Sequence, residues 1–80
     1  MRIVIEIKIR VENERKAMAI VEALKPDNID IPVGMRLEVS QAGNEIFITA
    51  ECEHEKILTC RSTVDEILML VQRVDKILSD

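Results

Sequence analysis

The residues best suited to chemistry lie between Cys52 and Cys60. Two thiols and the single imidazole, His54, are the groups that ligate metals or act as nucleophile and base. The cysteines lie eight positions apart, which is neither a C-x-x-C pair nor a four-ligand zinc pattern. No hydroxyl or thiol has a triad-like placement near His54, so we expect an exposed histidine at the start of a helix. We expect both cysteines to be buried or half-buried thiols in a reducing compartment.

Other signatures of catalysis or cofactor binding are weak. The pair Ser62–Thr63 precedes the acidic pair Asp65–Glu66 at capping-box spacing, but both pairs fall inside a long helical pattern. We interpret them as helix surface, with a break in the helix as the alternative. Two separated glycines provide neither a P-loop, nor a dinucleotide turn, nor the GxxG loop of a KH domain. We therefore expect a protein that is not an enzyme and that binds no cofactor or metal.

The length and composition of the chain favour one small globular domain, residues 1–80. Hydrophobic residues make up 48% of the chain and charged residues 32%. The net charge of -4 argues against nonspecific nucleic-acid binding by the isolated chain. The longest apolar run is five residues, whereas a membrane-spanning helix needs about 20. The N-terminal "MRIVIEIKIR" alternates with charges, unlike a signal peptide, so we expect a soluble cytoplasmic protein.

Three strands are predicted from a period of two. The first carries the apolar residues Ile3, Ile5, Ile7 and Ile9. The second carries Met35, Leu37 and Val39, and the third Ile46, Ile48 and Ala50. The Gly43-Asn44 turn joins the second and third strands into a hairpin.

Two helices are predicted. Asn13 is a competent N-cap for a helix of about three turns that Pro26 ends. The second helix runs from about Glu55 to Ser79, with apolar residues alternately three and four apart, namely Ile57, Cys60, Val64, Ile67, Val71, Val74 and Leu78. A right-handed crossover then places the third strand between the first two, antiparallel to both. The fold class is α+β in the order β-α-β-β-α, a three-stranded antiparallel or mixed sheet with both helices on one face.

The stretch "DEILMLVQ" suggests a surface that needs a partner. Side chains at Ile67–Val71 point in every direction around a helix. Other apolar residues already occupy the sheet-facing positions of the second helix. Four further apolar residues are therefore not needed for the core, namely Leu68, Met69, Leu70 and Ile77. Leu68 and Ile77 flank the seam beside the first helix, Met69 points nearly opposite it, and Leu70 lies between. We expect these four to form a partner-binding helix surface; the alternative is that the first helix covers more of the second than assumed.

Nucleic-acid contacts have less support. RNA-binding modules of this size usually stack bases on aromatic side chains, and Phe47 is the only aromatic residue. Arg61, Arg73 and Lys76 follow the second helix and are candidate tRNA contacts, although charges on an exposed helix are usually only solvated.

Four segments together resemble one known family. "EALKPDN", "VGMRLEV", "AGNEIFITAE" and "LTCRSTVDEIL", in this order, are similar to the small dimerising (Pcc-type) subunit of the KEOPS tRNA-modification complex, related to the cancer/testis antigen group. The most family-like positions are Pro26, Asp27, Asn28, Arg61, Thr63 and Asp65.

This resemblance implies a noncatalytic scaffold subunit. It would form a homodimer and dock its helices on the catalytic subunit that makes threonylcarbamoyladenosine at tRNA position 37. It also implies a tRNA contact, for which Arg61 is the matching position. Two alternatives remain open: a stand-alone, KH-like RNA-binding module, and a ligand-sensing regulatory domain, which would need a further strand after the last helix.

Overall fold

The protein is described by a computed structural model, which covers residues 1–25 and 31–79. Its elements are β1 (Arg2–Arg10), α1 (Glu14–Ala23), β2 (Met35–Ala42), β3 (Glu45–Glu53) and α2 (Ile57–Ser79), with a 3-10 turn at His54–Lys56 leading into α2. The predicted order β-α-β-β-α is confirmed. Within the described residues, neither helix is both long and apolar enough to cross a membrane.

The three strands form one open sheet in the order β1-β3-β2. Both pairings are antiparallel, and Ile48 of β3 lies opposite Ile7 on one side and Val39 on the other. The prediction that β3 lies between β1 and β2 is confirmed. β1 and β2 point the same way but are not paired with each other, so every pairing in the sheet is antiparallel. Each of these two strands has one edge that no strand of the sheet covers.

The β2–β3 hairpin closes at the predicted Gly43-Asn44 turn. Gly43 has a φ of +60°, a conformation that residues with a Cβ rarely adopt. Asn44 then joins the turn to the chain leaving β1, since its side-chain amide donates to the Val11 carbonyl over 2.9 Å and its own carbonyl accepts from the Val11 N–H over 2.9 Å. The hairpin tip and the entrance to α1 are thereby held together.

Asn13 is the N-cap of α1, as predicted. Its side-chain oxygen accepts from the Lys16 N–H over 2.9 Å, which pairs a backbone donor that the first helical turn would leave unpaired. The helix ends at Ala23, with Leu24 as C-cap. Pro26, expected to stop this helix, lies outside the described residues, as do Asp27 and Asn28.

The core lies between the helices and the inner face of the sheet. It combines the seam of α2 with inward-facing residues of α1 and the central strand, chiefly Ile20, Leu24, Ile46, Ile48, Val64, Ile67 and Val71. The predicted α2 seam is buried at Cys60, Val64, Ile67 and Val71; the side chain of Leu78 is outside the described part. No break occurs at Ser62–Thr63, whose hydroxyls donate to carbonyls one turn back over 3.1 Å.

The other face of the sheet is polar, as the alternation predicts. Ion pairs cross its strands, with Lys8 Nζ 3.0 Å and Arg10 Nη2 3.5 Å from a carboxylate oxygen of Glu45. The hydrogen bond from Lys8 is the main reason why the pKa of Glu45 lies below its ordinary value. Because these groups are exposed, this face can remain in contact with water without a partner.

Candidate partner-binding surface on the second helix

The four residues predicted to bind a partner differ in exposure. Met69 is 50% exposed and Ile77 is 72% exposed, whereas Leu68 and Leu70 are half-buried against the core. Leu58, which the sequence reasoning missed, is 75% exposed. It lies eleven residues, or about three helical turns, before Met69, and that spacing puts both on one face. We call Leu58, Met69, Leu70 and Ile77 the outer surface of α2.

Leu68 lies on the side of α2 that faces α1. Asp75 is seven residues further along, on the same side, and its Oδ1 lies 3.9 Å from the Lys16 Nζ of α1. Leu68 is partly buried against the core. We expected Ile77 to lie beside the first helix, but most of its side chain is exposed. Leu68 and Ile77 are nine residues apart, which puts them on opposite sides of α2, so Ile77 points away from α1.

Lys16 of α1 contacts α2 through its side chain. Its side chain is only 10% exposed, and its Nζ lies 2.7 Å from Glu12 Oε2 as well as near Asp75. The hydrogen bond to Glu12 is the main cause of a raised Lys16 pKa, so the ammonium stays charged over the physiological range. A buried lysine needs such partners. The sequence pattern does not reveal this contact between α1 and α2.

Leu70 and Ile77 share the side of α2 away from α1, being seven residues apart. α1 packs on β2 and β3 whereas α2 packs on β3, so this side faces the β1 edge of the sheet. The inward-facing isoleucines of β1 are only half-buried there. A row of half-buried apolar side chains thus follows the uncovered edge of β1, beside the outer surface of α2.

The candidate tRNA contacts Arg61, Arg73 and Lys76 are all exposed. Arg73 and Lys76 follow Met69 by four and seven residues and so share its face, while Arg61 lies toward the start of α2. Among the residues that the structure describes, none of the three forms an ion pair. Asp65 and Glu66, also exposed, precede Met69 by four and three residues and share this face, so the outer surface of α2 carries apolar groups among charges of both signs.

Cys52, His54 and Cys60 lie where β3 leads into α2. Cys52 and Cys60 are free thiols with 0% exposure. Burial, together with a hydrogen bond to Cys52, raises the pKa of Cys60 to about 11, so it is protonated and unreactive at neutral pH. His54 is exposed in the 3-10 turn, as predicted, and its backbone N–H donates to the Met1 carbonyl over 3.0 Å. In residues 1–25 and 31–79 there is no cluster of three metal-ligating side chains.

Comparisons with known proteins place this geometry in a family. No curated protein sequence matches the chain. A chain in the crystal structure of the binary complex Gon7-Pcc1 matches 96% of this chain and 93% of its own length, with a TM-score of 0.78 and 23% identity, which shows a shared fold. The family model described as transcription factor Pcc1 matches residues 4–79. The family resemblance seen in the sequence is therefore confirmed, and the chain belongs to the Pcc1 family.

Proposed function

We propose that this protein is a noncatalytic scaffold subunit of a KEOPS-type tRNA-modification complex in the cytoplasm. The observation that carries the proposal is the outer surface of α2, where three large apolar side chains, Leu58, Met69 and Ile77, are at least half exposed in a member of the Pcc1 family. Apolar groups gathered on one helix of a small domain are typical of an interaction surface.

The catalytic subunit is the partner proposed for this surface. Complete burial of an exposed large apolar side chain contributes about 1.5–3 kcal/mol, and Leu58, Met69 and Ile77, which are 50–75% exposed, each contribute part of that when covered. Together they contribute a few kcal/mol, which is comparable with the cost of association. The exposed methionine suits a surface that adapts to a partner's helices.

Homodimerisation is proposed through the β1 edge. A strand edge offers unpaired backbone groups to a second strand, and an antiparallel β1–β1 pair around a two-fold axis would join two sheets into one of six strands. The half-buried inner face of β1 and the neighbouring Leu70 would become covered. We favour β1 over the β2 edge because the side of α2 away from α1 lies along β1.

Ile7→Lys tests this dimer, because Ile7 and Val39 lie opposite the same residue, Ile48, on the two edge strands. A charge introduced on the inner face of an interface edge should weaken the dimer at least tenfold, since it would be desolvated. Light scattering of the purified chain is expected to give the mass of two chains for wild type and for Val39→Lys, and of one chain for Ile7→Lys. A monomeric wild type, or a dimer broken only by Val39→Lys, would contradict the β1 assignment.

The tRNA contact is proposed for Arg61, which is exposed near the start of α2. Losing one phosphate contact should lower the affinity of the assembled complex for tRNA several-fold and reduce the salt dependence by about one unit of slope. Arg61→Ala is compared with Arg36→Ala on the opposite face of the sheet, in filter binding at several salt concentrations. Equal affinities for the two variants would remove Arg61 from the tRNA surface.

The two alternatives differ from the scaffold in what the isolated chain binds. A KH-like module would bind single-stranded RNA by itself, and a regulatory domain would bind a small metabolite. The acidic net charge and the single aromatic residue favour neither RNA nor DNA as the sole partner. Mixing the chain with the catalytic subunit and measuring the mass of the product separates the three: only the scaffold gives a complex without RNA or metabolite.

A further inference from the structure

β1 carries a row of charged side chains along the uncovered edge of the sheet. Its outward-facing residues alternate with the inward-facing isoleucines and are all exposed, namely Arg2, Val4, Glu6, Lys8 and Arg10. In an antiparallel pair of strands, residues directly opposite each other lie on the same face. When a second copy of β1 pairs around a two-fold axis, the residue at the axis therefore decides which charges lie opposite each other.

We propose that the β1–β1 dimer has Ile7 at its two-fold axis and that Glu6 and Lys8 select this register. Glu6 of each chain then lies opposite Lys8 of the other, so two ion pairs flank the axis. On the inner face, Ile7 meets its own counterpart and Ile5 lies opposite Ile9. This inference rests on the proposed homodimer and names the residues that align its two copies.

Registers shifted by one or two residues place like charges opposite each other. With Glu6 at the axis, the two Glu6 carboxylates are opposed, and with Lys8 at the axis, the two Lys8 ammonium groups are opposed. With Ile5 or Ile9 at the axis, Lys8 lies opposite an arginine. Like charges directly opposite destabilise a pair of strands, whereas opposite charges stabilise it. The Ile7 register has no like charges opposite and pairs residues 4–10 of each strand.

α2 runs along β1 from the first residues of the strand to its last. It starts near Ile3, because it follows β3 after a 3-10 turn and Ile3 lies opposite Cys52 near the end of β3. Near the other end of β1, Val71 of α2 lines a surface hollow together with Ile9. Leu70 therefore lies beside the Ile9 end of the strand, on the side of α2 that faces the uncovered edge.

The position of Leu70 separates the Ile7 register from a second one without opposed like charges, which has Val4 at the axis. A strand rises about 3.4 Å per residue, so Ile9 lies about 7 Å along the strand from an axis at Ile7 and about 17 Å from one at Val4. The Val4 register pairs only residues 2–6 and leaves Ile9 and Leu70 outside the paired segment. The Ile7 register covers more of the apolar edge and is therefore favoured.

Lys8 can bind Glu6 of the second chain while it keeps its own partner. Its Nζ lies 3.0 Å from a carboxylate oxygen of Glu45, and its side chain is still 59% exposed. An ammonium group has three N–H donors, so it can bind two carboxylates at once. The dimer would thus extend an ion pair that already crosses β1 and β3.

Charge reversal tests the two ion pairs. Glu6→Lys and Lys8→Glu each replace both pairs by like charges, so each should raise the dissociation constant of the dimer about tenfold, as measured by sedimentation equilibrium at low salt. The double reversal Glu6→Lys/Lys8→Glu exchanges the partners and should return the constant to within about threefold of wild type. A general loss of stability would not be restored in this way, and circular dichroism verifies the fold of each variant.

Cysteine cross-linking tests the register itself. With Ile7 at the axis, Val4 lies opposite Arg10 of the other chain, and directly opposite Cα atoms are about 4.5–5.5 Å apart, which suits a disulfide. The variant with both Val4→Cys and Arg10→Cys should therefore give cross-linked pairs of chains on mild oxidation. Val4→Cys alone should not, because its two copies would lie about 20 Å apart along the strands. Wild type, whose Cys52 and Cys60 are buried, is the further control.

The results distinguish the register from the dimer. A monomeric wild type would overturn the homodimer and this register together. A dimeric wild type with cross-linking by Val4→Cys alone would keep the dimer and place Val4 at the axis. A double reversal that binds as weakly as the single variants would also keep the dimer, but would show that Glu6 and Lys8 do not select its register.

Discussion

Met69→Glu is expected to weaken binding of the protein to the catalytic KEOPS subunit by about a hundredfold or more. The side chain is half exposed in the free protein, so a carboxylate there meets water and leaves the fold intact. In the proposed complex the same carboxylate would be buried without a partner, which costs several kcal/mol, and each 1.4 kcal/mol or so is a factor of ten in affinity. Isothermal titration calorimetry with the purified subunit measures the change.

Val4→Glu is the matched control for this substitution. Val4 is 52% exposed, close to the 50% of Met69, but lies on the polar face of the sheet. It should leave the affinity within a factor of about two, because surface changes away from a contact have small effects. Circular dichroism of both variants verifies the fold. Equal affinities for the Met69 variant, the Val4 variant and wild type would mean that the outer surface of α2 is not the docking site.

Ile67→Ala is expected to reduce the free energy of unfolding by about 2–5 kcal/mol, the range for truncating a large buried aliphatic residue. Ile67 is 1% exposed and lies in the core cluster with Ile20 of α1 and Ile48 of β3. Domains of this kind have only about 5–15 kcal/mol of stability in total. The substitution should therefore remove a large fraction of the stability, which urea titration followed by circular dichroism reports as a lower midpoint.

Ile77→Ala provides the same chemical change at an exposed position of the same helix. Its side chain is 72% exposed, so the free energy of unfolding should change by no more than about 0.5 kcal/mol. A difference between the two variants shows that burial, and not helix propensity, sets the cost. If both variants had the same midpoint as wild type, the assignment of Ile67 to the core would be wrong.

Local patterns in the sequence predicted the elements and their order. The alternation in β1, the Gly43-Asn44 turn and the three-four spacing along α2 each reflect a repeat of the backbone itself, so they can be read without knowledge of neighbours. The general rule that crossovers are right-handed then placed β3 between β1 and β2. The polar face of the sheet followed from the same alternation.

The candidate surface was predicted only in part. "ILMLV" identified Met69, because no single core can cover every side of a helix. Leu58 was missed since it stands outside that run, although its spacing of eleven residues from Met69 was a usable signal. The direction of Ile77, away from α1, could have been derived from its nine-residue spacing from Leu68. The half-burial of Leu70 could not, because periodicity gives the direction of a side chain but not the extent of its neighbours.

The sequence by itself determined which residues form strands and helices, which side of each is apolar, and which family the chain resembles. Only the tertiary structure decided that the Lys16 ammonium of α1 lies near Asp75 of α2, and that α1 leaves the outer surface of α2 exposed. The reason is physical: periodicity reports the local geometry of one element, whereas these contacts depend on the relative lengths, positions and tilts of elements distant in the chain.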